Sequence, residues 1–142
     1  MAIKQLSVFV ENKRGGLVRI TDLLAGHGIN LSALSIADTK DFGILRLIVD
    51  DTEKAREALE ANGVLVKVNE VVGIEIPDRT GELSRALSVL DDEGINVEYL
   101  YAFLSAGGTG AYVVLRVEDN ATAESALTSA GFRTVTERDV RK

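Results

Sequence analysis

The chain has 142 residues, 46% of them hydrophobic, and its 22 acidic and 16 basic side chains give a formal net charge of −6. A chain of that length buries roughly two-thirds of its unfolded surface, enough for two small cores. The acidic balance offers no basic footprint for a phosphate backbone and argues against a nucleic-acid partner. With no cysteine there is no disulfide frame, thiolate metal site or cysteine nucleophile. Without a signal-peptide h-region or a bilayer-length apolar run, the expectation is a cytoplasmic protein with no membrane partner.

In chain order, Leu6–Val10 alternates and is β-branched, which predicts a strand, and Asn12–Gly16 is a turn. Leu17, Ile20, Leu23 and Leu24 recur at helical spacing, with Gly28 where a left-handed C-cap belongs. Leu34–Ile36 predicts a second strand, Asp38–Asp41 a turn, and Ile44–Val49 a third strand. A helix is expected over about Glu53–Ala61, burying Ala55, Ala58 and Leu59 behind an N-cap at Asp51 or Thr52. Val64–Val68 closes the unit as a strand, so the order is βαββαβ.

The chain then repeats itself. Gly15–Gly16–Leu17 with Gly28–Ile29–Asn30 recurs as Gly81–Glu82–Leu83 with Gly94–Ile95–Asn96, displaced by 66 positions. Val49–Asp50–Asp51, Leu59 and Gly63 recur as Val117–Glu118–Asp119, Leu127 and Gly131, displaced by 68. An internal duplication sets the domain organisation: two βαββαβ domains, residues 1–70 and 71–142. Only Asn69–Glu70 joins them, with no Gly/Ser/Pro linker, which predicts a fixed relative orientation. Split βαβ connectivity gives the α+β ferredoxin-like class, each domain a four-stranded antiparallel sheet with two helices on one face. The opposite face of each sheet is left bare.

In both copies a polar turn ends in glycine before the first helix, Asn12–Lys13–Arg14–Gly15 and Asp78–Arg79–Thr80–Gly81. Unpaired N–H groups and the positive dipole end suit a carboxylate there, and a side chain at Gly15 or Gly81 is expected to obstruct its approach. The Asn12 amide or the Asp78 carboxylate suits an ammonium group, and Asn30 and Asn96 at the far end of the helix supply donor and acceptor together. Read alone, the residues leave a structural explanation open: Asn12 and Asp78 as caps, the glycines as backbone requirements.

Glu11–Leu17 with Gly28–Leu31, and Asp78–Leu83 with Gly94–Val97, resemble the ACT domain, a βαββαβ family that regulates amino-acid metabolism. The resemblance spans nearly the whole chain as two copies with no catalytic domain. It implies a free-standing tandem ACT protein, not an enzyme, that senses a small free amino acid at the seam between neighbouring ACT domains. It further implies a homodimer and a metabolic enzyme as the regulated partner. Carried onto this sequence, the implied ligand contacts are Asn12, Arg14, Gly15, Gly16, Leu17 and Asn30, and Asp78, Thr80, Gly81, Glu82, Leu83 and Asn96. Arg14 and Thr80 stand where the family often has proline, and Arg14 adds a candidate carboxylate contact. The alternatives are an adaptor without a working ligand site and an RNA-binding βαββαβ module.

Other features are read as structural, and no cofactor is expected. Gly107–Gly110 lacks the lysine of a phosphate loop and joins two strands, which makes it a hairpin. His27 has no base or nucleophile beside it and its counterpart is Glu93. Asp91–Glu93 is read as a solvated helix end, with a divalent ion as the lesser reading. Tyr99, Tyr101 and Phe103 alternate along one strand beside Tyr112 and are placed on the bare face, predicting an interface within or between subunits.

Overall fold

The computed structural model describes residues 2–38, 41–104 and 110–140. Its internal contacts divide the chain into Lys4–Asn69 and Glu70–Val140, and the residues up to Ile3 group with the latter. Ile3 is buried, and its Cδ1 lies 2.5 Å from where a Cβ on Gly73 would stand, so glycine is the residue that admits it.

The first unit comprises β1 (Ile3–Glu11), α1 (Gly16–Gly26), β2 (Leu31–Asp38), β3 (Phe42–Val49), α2 (Thr52–Ala61) and the start of β4 (Val66–Pro77). Its strands lie in the order β2–β3–β1–β4. Leu6 faces Leu47 and Val8 faces Leu45 across the antiparallel β1–β3 pair. Because side chains alternate along a strand, those four share one face and form the core with Ile20 and Leu24 of α1 and Leu59 of α2.

The second unit repeats this with the remainder of β4, α3 (Glu82–Asp92), β5 (Tyr99–Leu104), β6 (Gly110–Arg116), α4 (Asn120–Ser129) and β7 (Thr134–Val135). The strand order is β5–β6–β4–β7. Val72, Ile74, Val113 and Leu115 pack against Ala86, Leu90, Ala123 and Leu127. β4 runs unbroken through Asn69–Glu70, so the two residues that join the repeats are extended strand. A short helix, α5 (Glu137–Val140), follows β7 and has no counterpart in the sequence reading. The Gly107–Thr109 part of the expected hairpin and the Thr39–Lys40 part of the expected Asp38–Asp41 turn lie outside the described residues.

The two helix pairs end alike and begin differently. Gly28 and Gly94 have φ of 69° and 72°. Behind them Ile29 N–H bonds Leu24 O at 3.0 Å and Ile95 N–H bonds Leu90 O at 2.9 Å, closing the same glycine C-terminal motif twice. At the N-termini, the Asp51 and Asp119 carboxylates accept from the N–H groups of Lys54 and Thr122, both at 3.1 Å, and cap α2 and α4. The starts of α1 and α3 carry glycine N-caps with no side-chain hydrogen bond. Neither Asn12 nor Asp78 acts as a cap there.

The aromatic stripe falls on the face predicted for it: Phe103 pairs with Tyr112 and Tyr101 with Val114, away from core residues Val113 and Leu115. Tyr101 and Tyr112 are buried within the single chain, whereas Tyr99 and Phe103 are half-buried. The Phe103 and Tyr112 rings meet edge to face at 5.3 Å, and Arg133 donates to the Tyr112 hydroxyl while pairing with Glu75 at 2.9 Å. Buried rings offer no stacking platform for bases. On the corresponding face of the first unit the buried residues are small or polar, Ala33, Gln5 and Ser7, with Ile48. Ser7 Oγ donates to Asn69 Oδ1 at 2.8 Å.

Candidate functional site

Each unit opens a cleft at the turn before its first helix. The first, about 590 Å³, is lined by Glu11, Lys13, Arg14, Gly15, Gly16 and Arg19, with Phe9, Val10, Ile20, Phe42 and Gly63–Leu65 as its other walls. The second, about 580 Å³, is lined by Ile76–Arg79, Gly81, Leu83, Ser84, Gly110 and Ala111. The turns match bond for bond: Lys13 N–H to Glu11 O and Gly16 N–H to Lys13 O, then Arg79 N–H to Pro77 O and Glu82 N–H to Arg79 O.

Gly15 and Gly81 both have φ of 88° with no heavy atom within 4 Å of an added Cβ. The need for glycine there is therefore conformational, with open space beside it. Gly16 is the sterically required residue, because its Cβ would stand 2.5 Å from Glu11 O. Among the described residues, the N–H groups of Leu17 and Val18, and of Leu83 and Ser84, take no backbone acceptor. These bare donors sit at the positive end of the helix dipole.

The predicted site residues separate into distinct groups. Arg14, Gly15 and Gly16 line the first cleft, and Asp78, Gly81 and Leu83 the second. Asn12 and Thr80 are exposed in the turns and line neither of these two clefts, and Leu17 is 46% exposed on the first turn of α1. Asn30 lies at the other end of α1, roughly 16 Å away by the rise of an eleven-residue helix. There its N–H donates to Asp50 Oδ1 and its carbonyl accepts from Asp50 N–H, both at 3.1 Å. Asn96 lines a separate cleft of about 410 Å³ with Gly94, Ile95, Glu98, Glu118 and Asp119. Within one unit, no small ligand touches both ends of the helix.

Glu82 turns away from its cleft. Arg85 holds its carboxylate in a fork, Nε at 3.0 Å and a terminal nitrogen at 3.4 Å, and Arg79 adds a bond at 2.9 Å. These cations, the Arg85 hydrogen bond first, hold the Glu82 carboxyl below its ordinary value. Asp119 is lowered by hydrogen bonds from Thr122, and Asp139 by those from Thr136. A carboxyl whose folded value is depressed adds stability above its unfolded value, near 4, and loses it as pH falls through the folded value. The urea midpoint should therefore drop between pH 5 and pH 2, and Glu82→Gln should flatten that drop; an unchanged midpoint in acid would contradict the assignment.

Arg19 and Arg85 escaped the sequence reading, although they share the 66-residue displacement of the glycine motifs. Both anchor the carbonyl ending the other helix of their unit, Arg19 to Asn62 O at 2.6 Å and Arg85 to Ala130 O at 2.9 Å. Basic groups are favoured at such an end.

The chain is thus a duplicated βαββαβ unit with a cleft at the first helix of each copy. The family model described as an ACT domain pair matches residues 1–142, and the chain belongs to that family. It is 42% identical to protein BT0572 from Bacteroides thetaiotaomicron, with a TM-score of 0.93 over 100% of this chain and 97% of that one. The fold is shared with the ligand-free regulatory subunit of aspartate kinase from Thermus thermophilus, at 17% identity and a TM-score of 0.66 over 92% of this chain and 93% of that one. The regulatory subunit of aspartate kinase from Thermus flavus is similar at 16% identity, with a TM-score of 0.65 over 89% and 91%. No curated protein matches significantly. ACT domains are a regulatory domain type, often amino-acid-binding. Among the described residues, no helix is long and apolar enough to cross a membrane.

Proposed function

We propose that this protein is an amino-acid sensor that binds a small free amino acid at the turn before the first helix and controls a separate metabolic enzyme. The observation that carries this is the contrast in helix starts. Aspartate caps α2 and α4, while α1 and α3 present bare N–H groups beside an open glycine in both copies. Such a terminus accepts a carboxylate. The adaptor alternative assigns no use to those donors.

A ligand this small supports an affinity of roughly millimolar to micromolar. At about 100-fold above Kd it should stabilise the fold by about 2.7 kcal/mol. A thermal-shift screen of the twenty amino acids at tens of millimolar, about the top of that range, should therefore find a stabilising ligand. Silence from all twenty, repeated by calorimetry, would end the sensor reading.

The assembly proposed is a homodimer. Tyr101 and Tyr112 are 8% and 7% exposed, whereas Leu34 and Ile36 on edge strand β2 are 59% and 47% exposed. An exposed apolar edge strand invites pairing with another chain. Sedimentation should give a dimer that Leu34→Glu with Ile36→Glu converts to monomer; a monomeric wild type would refute it.

A further inference from the structure

The duplication supplies a comparison that a single domain lacks. In the second copy, Arg85 stacks over the Phe132 ring at 4.1 Å, forks the Glu82 carboxylate and bonds Ala130 O. The first copy keeps the arginine and its carbonyl, Arg19 on Asn62 O. It replaces the carboxylate by Gly16 and the ring by Val64, and Arg79 by Lys13. Gly16 has its own steric reason, since a Cβ there would strike Glu11 O. The consequence is that Arg19 lacks the carboxylate that its twin holds.

The clefts differ accordingly. The first extends from the turn past Arg19 to Gly63, Val64 and Leu65. The second does not reach Arg85 or the equivalent Gly131–Arg133, a region where Glu82 and Phe132 sit buried. The far wall of the first cleft is apolar, with Phe9, Phe42 and Leu65, the last two 54% and 64% exposed. Their counterparts are Glu75, Gly110 and Arg133, two of which form an ion pair. In the first cleft Glu11 is the acid, and Lys13 holds it at 3.3 Å, leaving Arg14 and Arg19 as net positive charge.

We infer that in the second copy the arginine, Arg85, is occupied by the chain's own Glu82 carboxylate, while in the first copy Arg19 takes the carboxylate of a free ligand with an apolar tail, one per chain. The amino-acid identity of that ligand rests on the proposed function; the carboxylate assignment does not need the amino group. An arginine fork binds a planar carboxylate with two parallel hydrogen bonds, and the rings and Leu65 cover the tail.

Calorimetric titration of the full chain with phenylalanine and leucine, their deaminated acids hydrocinnamate and isocaproate, and their decarboxylated amines phenethylamine and isoamylamine tests this. At least one acid-bearing probe should bind once per chain, the amines should not bind, and Arg19→Gln should weaken binding about tenfold or more, as expected for a lost charged hydrogen bond. Glu82→Ala or Glu82→Gly should raise the stoichiometry to two. In the wild type, the Glu82 carboxyl carbon resonance should stay fixed at saturation while the Arg19 side-chain nitrogen resonances move. Amines binding as well as acids, binding insensitive to Arg19→Gln, or a Glu82 resonance that moves with the ligand would overturn the inference and leave the sensor reading standing. A folded Glu82 variant with one site would overturn the self-occupied second copy. Deaminated acids binding at Arg19 while neither amino acid does would uphold the carboxylate assignment, and no binding by any probe would overturn the inference; in both cases the sensor reading is decided by the twenty-amino-acid screen.

Discussion

Leu90→Ala is expected to destabilise the protein by about 2–5 kcal/mol, the cost of deleting buried methyl groups and leaving a cavity. Leu90 is 0% exposed among Ala86, Leu115 and Leu127, and its carbonyl accepts the Ile95 N–H that closes α3. Alanine keeps that backbone bond, so the loss isolates the side chain, and α3 itself gains helix propensity. Leu24, its counterpart in the first unit, is 1% exposed in the equivalent position and should behave alike. Urea unfolding checks both variants; a change below about 1 kcal/mol would mean the core collapses around the missing group.

Gly15→Val and Gly81→Val should each cost about 1–3 kcal/mol, the range for a non-glycine residue held in a sparsely populated backbone region. Both positions have φ of 88° with nothing near an added Cβ, so a clash does not contribute. A β-branched residue is a poor occupant of that region. The same substitution should weaken ligand binding by tilting the first helix turn and roofing the bare N–H groups. Unchanged stability at both positions would show that the turn relaxes to another conformation.

The fold was legible because the chain repeats and because core residues keep strict spacing. Leu6, Val8 and Val10 alternate inward, and Ile20 and Leu24 follow at helical spacing. Gly28 marked the helix end because a left-handed C-cap favours glycine, and the structure places it at φ of 69°. The continuity of β4 through Asn69–Glu70 was not legible, since two polar residues between apolar runs interrupt a strand pattern until a neighbouring strand holds them extended. Nor was α5 visible, four residues of Glu-Arg-Asp-Val being too short for a periodic pattern.

The candidate site was legible in part for the same reason. Turn glycines announce themselves by residue type, whereas Arg19 and Arg85 look like ordinary surface arginines until their helix rotates them onto a carbonyl of another helix. The burial of Tyr101 and Tyr112 was not legible, because alternation along a strand specifies a face and not a depth. Strand alternation did identify their face. The exchange of Gly16 for Glu82 stood in the sequence at a fixed displacement, but its meaning needed the arginine fork.

The central claim is that a free amino acid binds where the first helix begins, and amide resonances measured while titrating the stabilising amino acid test it most directly. The account predicts that the largest shifts at saturation fall on Gly15, Gly16, Leu17 and Val18, with Asn30 at the opposite end of the helix little moved. Shifts confined to other parts of the chain, or none under saturating ligand, would contradict it.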